Sequence, residues 1–145
     1  MIRLKDLQPD QALKDLLDGK ITIDVSASES RIAKVYKQGE RPNTNLDDEF
    51  VEILHNGVIR SMTKPFGFYR GNLAIMLYCK AQSDGTAKFN RINSMLSQME
   101  TLTKGKSSGT FFFDINEDNI ITPVSINATT GYATITLNIA WHTTE

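Results

Sequence analysis

From Gly131 to Trp141 the chain reads GYATITLNIAW, and its apolar residues recur with a period of two. Ala133, Ile135, Leu137, Ile139 and Trp141 fall on one side of an extended backbone, with Thr134, Thr136, Asn138 and Ala140 on the other. That alternation predicts a strand with one face in a core. GNLAIMLYCKAQ, Gly71 to Gln82, predicts another; being apolar on both faces, it should be covered on both sides or central in its sheet. TFFFDI and IITPVSI predict two more, with NEDN between them and the NATTG turn after them, so the end of the chain reads as an antiparallel meander. In EFVEILHNGVIRSM, Asn56-Gly57 sits between apolar runs and predicts a two-residue type I′ hairpin turn. Weaker strand signals cover Ile21 to Val25 and Ile32 to Tyr36.

The period lengthens in TAKFNRINSMLSQMETLTKG. Phe89, Ile92, Met95, Leu96, Met99 and Leu102 repeat at three- and four-residue steps, Asn90, Ser94, Ser97 and Thr101 lie opposite, and Gly105 closes the helix. SDGT before it is a turn and start signal, and KGKSSG after it is a flexible exit. QPDQALKDLLDGK predicts a shorter helix, capped by Asp10, with Leu13, Leu16 and Leu17 as its stripe and Gly19 as its end. Gly39 to Glu49, GERPNTNLDDE, has almost nothing to bury and reads as a long exposed loop. The expected fold is therefore α+β, a largely antiparallel sheet with two helices packed on one face, and a single domain over residues 1–145.

At 145 residues and 40% hydrophobic content the chain can bury a sizeable core unaided by metals or disulfides. Sixteen basic against seventeen acidic residues leave a net charge of -1, which removes any global field favouring nucleic acid or an anionic membrane. Cys79 is the only cysteine and cannot form an intramolecular disulfide; the start MIRLKDLQPD has neither an apolar signal core nor a spanning segment. The expectation is a soluble protein of a reducing compartment, with no membrane role and no direct recognition of nucleic acid.

Candidate chemistry is thin. DINEDN, Asp114 to Asn119, starts like a calcium loop, but Asn119 replaces the required glycine and Ser125 the bidentate glutamate, so a polar turn is expected. LDDE, Leu46 to Glu49, offers paired carboxylates without a basic residue at a characteristic spacing; it reads as a solvated segment or a contact to a basic partner. His55, His142 and Cys79 are too few for a zinc site and read as structural. There is no G-x-S-x-G elbow, no G-x-G-x-x-G and no P-loop; GKSSG lacks the upstream glycine. KPFGFYR, Lys64 to Arg70, pairs cations with aromatics as single-strand binders do, but reads as a bend with packed rings. No catalytic, metal or cofactor residues are assigned, and a non-enzyme is expected.

The layout resembles the tail-terminator (tail-completion, minor tail) proteins of long-tailed bacteriophages. The likeness lies in element order: a short N-terminal helix, a loop-rich segment, GNLAIMLYCKAQSDG as strand and turn, KFNRINSMLSQMETL as helix, and a closing antiparallel set ending in GYATITLNIAW. It implies a non-enzymatic structural protein of a phage or prophage. Such a protein forms a ring of its own copies, commonly a hexamer, caps the tail tube and joins it to the head-tail connector protein. It would reside in the virion tail, and in the bacterial host's cytoplasm during assembly. No cofactor is implied. Ring contacts of that kind are heterologous and built from sheet edges, loops and charged rims. The charged residues of the segments too polar for a core are therefore the expected interface: Arg41, Asp47, Asp48, Glu49, Arg60, Lys64 and Arg70. One competing reading is a small-molecule-binding α+β module whose helix-on-sheet gap is lined by Phe68, Tyr69, Met76 and Tyr78. Another is an enzyme using Asp114 or His55.

Overall fold

The two strongest period-two runs form the centre of a seven-stranded sheet. In the computed structural model, which describes residues 7–61, 68–115 and 122–144, β5 (Tyr69–Lys80) and β9 (Tyr132–Thr143) pair antiparallel from Arg70↔His142 to Lys80↔Tyr132. Outside β5 lies β4 (Glu49–Ser61), antiparallel to it, and then β3 (Lys34–Lys37), parallel to the start of β4. Beyond β9 lie β7 (Phe111–Ile115) and the edge strand β6 (Lys106–Ser108), with β8 (Ser125–Ile126) also paired to β9. A separate hairpin is made by β1 (Thr22–Ser26) and β2 (Glu29–Ile32).

Helix α1 (Pro9–Leu17) packs against β3, β4 and α2, and helix α2 (Phe89–Thr103) against β1, β5 and β7. Leu13 and Leu17 from α1 and Ile92, Met95 and Met99 from α2 meet Val51, Ile53, Leu73, Ile75, Leu77, Leu137 and Ile139 in one buried cluster. Each such side chain contributes roughly 1.5–3 kcal/mol by leaving water. The architecture is the expected α+β one, with both helices on a single sheet face. Near the start of β5 the chain needs a glycine: a Cβ on Gly71 would stand 2.7 Å from Cζ2 of Trp141, its partner across β5 and β9.

Several local expectations are corrected. The chain does not reverse at Asn56-Gly57. Gly57 takes φ +86° but Asn56 stays out of the positive-φ region, so no type I′ turn forms. Instead β4 runs on to Ser61 through a bulge: Asn56 pairs with Asn72 and Arg60 with Arg70, leaving two residues of β4 in excess. A hairpin there would have robbed β5 of its partner along Phe50–Asn56, and the longer pairing wins. There is no meander at the end of the chain either. β7 and β8 are both antiparallel to β9 and lie on its same side, so they run in the same direction. The NEDN turn itself lies outside the described residues, and of the described part of IITPVSI, residues 122–126, only Ser125–Ile126 is strand. KGKSSG is no loose exit, since its centre is β6. Asp10 lies inside the first turn of α1, accepting the Gln11 N–H at 2.9 Å, and the cap position belongs to Gln8. Phe89, placed on the apolar stripe of α2, is 57% exposed.

Candidate functional site

Strand phase decides what becomes of the acidic segment. Glu49 pairs with Cys79, Val51 with Leu77 and Ile53 with Ile75, so all three β4 residues face the helices. Glu49 is consequently 1% exposed rather than part of a solvated loop. Its carboxylate is shared by two guanidiniums: Arg31 of β2, through Nη2 and through Nε at 3.0 Å, and Arg91 of α2, through Nη1 to Oε1. The bond to Glu49 is the main reason that the Arg31 guanidinium holds its proton more tightly than usual. Asp48 adds a longer contact to Arg31, at 3.8 Å, and Asp47 pairs with Lys34 at 3.5 Å.

The loop after Gly39 folds back on the same end of the sheet, over the face opposite the helices. Arg41 lies above the Phe50 and Tyr78 rings, 5.7 and 5.2 Å from their centroids, and 4.0 Å from Glu52. Tyr78 stacks on Phe50 at 4.4 Å and donates its hydroxyl to Glu52 at 3.2 Å. Burial raises the phenol pKa of Tyr78, with the Glu52 charge adding to it. The Tyr132 hydroxyl donates to the Asp47 carbonyl at 2.6 Å, and the Lys80 N–H donates to that of Asp48 at 2.7 Å. Arg41, Asp47, Asp48 and Glu49 are thus brought together, and each makes contacts within its own chain.

Arg60 and Arg70 lie at the other end. β3 accompanies β4 only from Phe50 to Ile53, so the outer edge of β4 beyond that point has no strand partner among the described residues. There β4 and the start of β5 form a ribbon in which Val58 is 65% exposed, Ile59 45% and Phe68 39%. Arg60 and Arg70 are direct cross-strand partners, and Arg70 is in turn opposite His142, whose ring lies 5.1 Å from Phe112. Among the described residues neither arginine enters an ion pair or a side-chain hydrogen bond. Like charges placed directly opposite one another oppose pairing. Val58, Arg60, Arg70, Phe112 and His142 rim an open depression of about 560 Å³ whose lining also includes Asn72 and Asp114. Lys64 lies outside the described residues.

The alternative sites do not assemble. Met76 and Tyr78 point to the face opposite the helices, whereas Tyr69 packs against the helix-side core, so the four residues of the expected ligand gap do not share a cavity. His55 reaches Asp10, with Nε2 3.4 Å from Oδ2, while Asp114 is on β7 and accepts the Ile115 N–H. Cys79 is fully buried, and burial pushes its thiol pKa up to about 11. Among the described residues no group of three His, Cys, Asp or Glu side chains is placed to hold a metal, and no helix is long and apolar enough to cross a membrane.

Glu49 and its arginines are what the sequence reading missed. The signal was present in the phase of EFVEI: a strand beginning at Glu49 puts that residue in the row of Val51 and Ile53. Arg31 and Arg91, 18 and 42 residues away, carry no such signal.

No family model matches the chain, and no curated protein does. A solved structure of a protein without a functional name is similar to it, with a TM-score of 0.58 and 11% identity over 94% of this chain and 96% of that one. At that identity the likeness shows the fold alone.

Proposed function

We propose that this chain is a structural assembly protein of a phage or prophage tail, a terminator that forms a ring, caps the tail tube and meets the head-tail connector. Its place of action would be the virion tail, reached from the bacterial cytoplasm during assembly. Support comes from the element order that resembles the tail-terminator family, together with an α+β fold whose second sheet face carries no helix among the described residues. The observation that carries the reading is the ribbon of β4 and β5. It exposes Val58, Ile59 and Phe68 beside two arginines that enter no ion pair among the described residues, and exposed apolar side chains flanked by charge suit contact with another protein. Arg60 and Arg70 are accordingly the interface residues retained at this end. At the other end, Arg41, Asp47 and Asp48 shape the loop, and Glu49 anchors it from within.

The test is electron microscopy of the purified protein, alone and mixed with tail tubes of a long-tailed phage. Rings, and density confined to tube ends with tube growth arrested, are expected. Protein that neither forms rings nor favours tube ends would refute the proposal.

A further inference from the structure

A row of basic side chains crosses the sheet face opposite the helices. Arg60 of β4 is opposite Arg70 of β5, Arg70 is opposite His142 of β9, and His142 is opposite Phe112 of β7. With neighbouring strands about 4.8 Å apart, Arg70 has a second guanidinium on one flank, an imidazole on the other and the Phe112 ring one strand beyond. All four residues line the open depression of about 560 Å³ and belong to one copy of the chain. Small-molecule sites fall in the range of roughly 300–1,000 Å³.

The charge of that row is not compensated from within. Arg60 and Arg70 enter no ion pair among the described residues, and like charges set directly opposite one another oppose strand pairing. Asp114, the acid of the depression, belongs to the next row: its partner on β9 is Ala140, which in turn is opposite Asn72. Two strand spacings across and two residues along put its backbone on the order of 12 Å from that of Arg70. Its Oδ1 already accepts the Ile115 N–H at 2.8 Å.

We infer that this depression binds a phosphate monoester whose ester group carries a planar ring, with the phosphate over Arg70 and the ring against Phe112. Guanidiniums bind phosphate oxygens through paired N–H donors, so one bridging anion satisfies Arg60 and Arg70 together and relieves their repulsion. His142 distinguishes among anions. Its Nδ1 lies 3.1 Å from the Thr143 carbonyl, which only accepts, so Nδ1 carries a hydrogen and Nε2 is left to face a ligand. A monoester, whose second ionisation falls near pH ~6, brings a proton that it shares with Nε2; a phosphodiester brings none. Asp114 repels the phosphate from the β7 end of the depression. The half-buried Phe112 ring, 5.1 Å from that of His142, offers the ligand ring an offset stack. The site is complete in a single subunit, so the inference goes beyond the assembly reading and does not depend on it.

Isothermal titration calorimetry of the full-length protein at neutral pH and low salt, with phenyl phosphate as the probe, tests this. One site per chain is expected, with binding about tenfold weaker in Arg70→Gln and in Arg60→Gln. Asp114→Asn should tighten it. Phe112→Leu should weaken phenyl phosphate and leave inorganic phosphate unchanged, and Lys20→Gln, which removes an exposed charge outside the depression, should alter neither. Thermal melts check folding: without ligand Arg70→Gln should melt no lower than wild type, because it removes an opposed charge, and phenyl phosphate should raise the wild-type melt and not that of the variant. Phenyl phosphate that does not bind at millimolar concentration, or that binds Arg70→Gln as tightly as wild type, overturns the inference. So does an equal loss in Lys20→Gln, which would reduce the effect to net charge. A single-stranded oligonucleotide without a terminal phosphate that binds and is not displaced by phenyl phosphate also overturns it, and assigns the arginines to a nucleic-acid backbone.

Discussion

Replacing Glu49 with Gln keeps the side chain's shape and removes the charge that Arg31 and Arg91 share. The carboxylate is completely buried, while the Arg31 side chain is 38% exposed and that of Arg91 only 17%. Taking one partner from a buried ion pair costs about 3–5 kcal/mol, because the remaining charge is left without compensation. Here Arg31 can regain water and Arg91 cannot, and the amide oxygen still accepts one hydrogen bond, so the cost falls at the lower end, about 3 kcal/mol. For a domain of this size that corresponds to a fall in Tm of about 10 °C. Arg91→Met should cost nearly as much, and Arg31→Ala about 1 kcal/mol, since Glu49 then keeps its less exposed partner. Urea unfolding followed by the fluorescence of Trp141, the sole tryptophan, measures all three. Raising salt should leave the ranking unchanged, because screening acts mainly on exposed charges. A loss below about 1 kcal/mol for Glu49→Gln, or a greater loss for Arg31→Ala than for Arg91→Met, would refute the assignment of Glu49 as a buried anchor.

Other consequences are as direct. Gly71→Ala puts a methyl 2.7 Å from the Trp141 ring and should cost about 1–3 kcal/mol with a changed near-ultraviolet circular dichroism of that ring, and Trp141→Leu in the same chain should recover part of the loss. Gly57→Ala forces a Cβ into φ +86° at the bulge and should cost about 1 kcal/mol in the same unfolding assay although nothing crowds the site. Native Cys79 should resist alkylation at pH 8 and react once unfolded; rapid reaction of the folded protein would contradict its burial. The folded thiol keeps its proton up to about 11 and an ordinary thiol loses it near 9, so the native state binds the extra proton between those values and stability should decline as pH rises through that window.

What was legible in the sequence followed from periodicity that tertiary contacts reinforced. In β9 the row Ala133 to Trp141 is buried as the alternation requires, and β5, apolar on both faces, is central between β4 and β9. Along α2 the same rule gives Ile92, Met95 and Met99 as core but fails at Phe89, where the helix starts beside an open depression and the ring stays 57% exposed. HNGVIR failed for a different reason. The dipeptide's preference for a turn is local and worth little, whereas running β4 on keeps its pairing with β5 from Glu49 to Asn56 and resumes it at Arg60 and Ser61, with a strand whose identity no window around Asn56 reveals.

The charged residues selected for polarity divide along the same lines. Polarity alone does not distinguish Glu49 from Asp48, but strand phase does: one step along the chain turns a side chain from solvent to the space beneath α2, where only paired guanidiniums make a carboxylate tolerable. At the ribbon phase no longer has that power. Neither helix contacts the far half of β4 in a way that covers it, and Val58 and Ile59, neighbours of opposite phase, are both exposed. An apolar pair exposed on both faces of a ribbon, beside two arginines that share a depression with Asp114 but enter no ion pair among the described residues, adds little to the stability of the chain. Under the assembly proposal a second surface would remove such side chains from water, and the ribbon, more than the loop at Gly39 to Glu49, is then the place to test for contact.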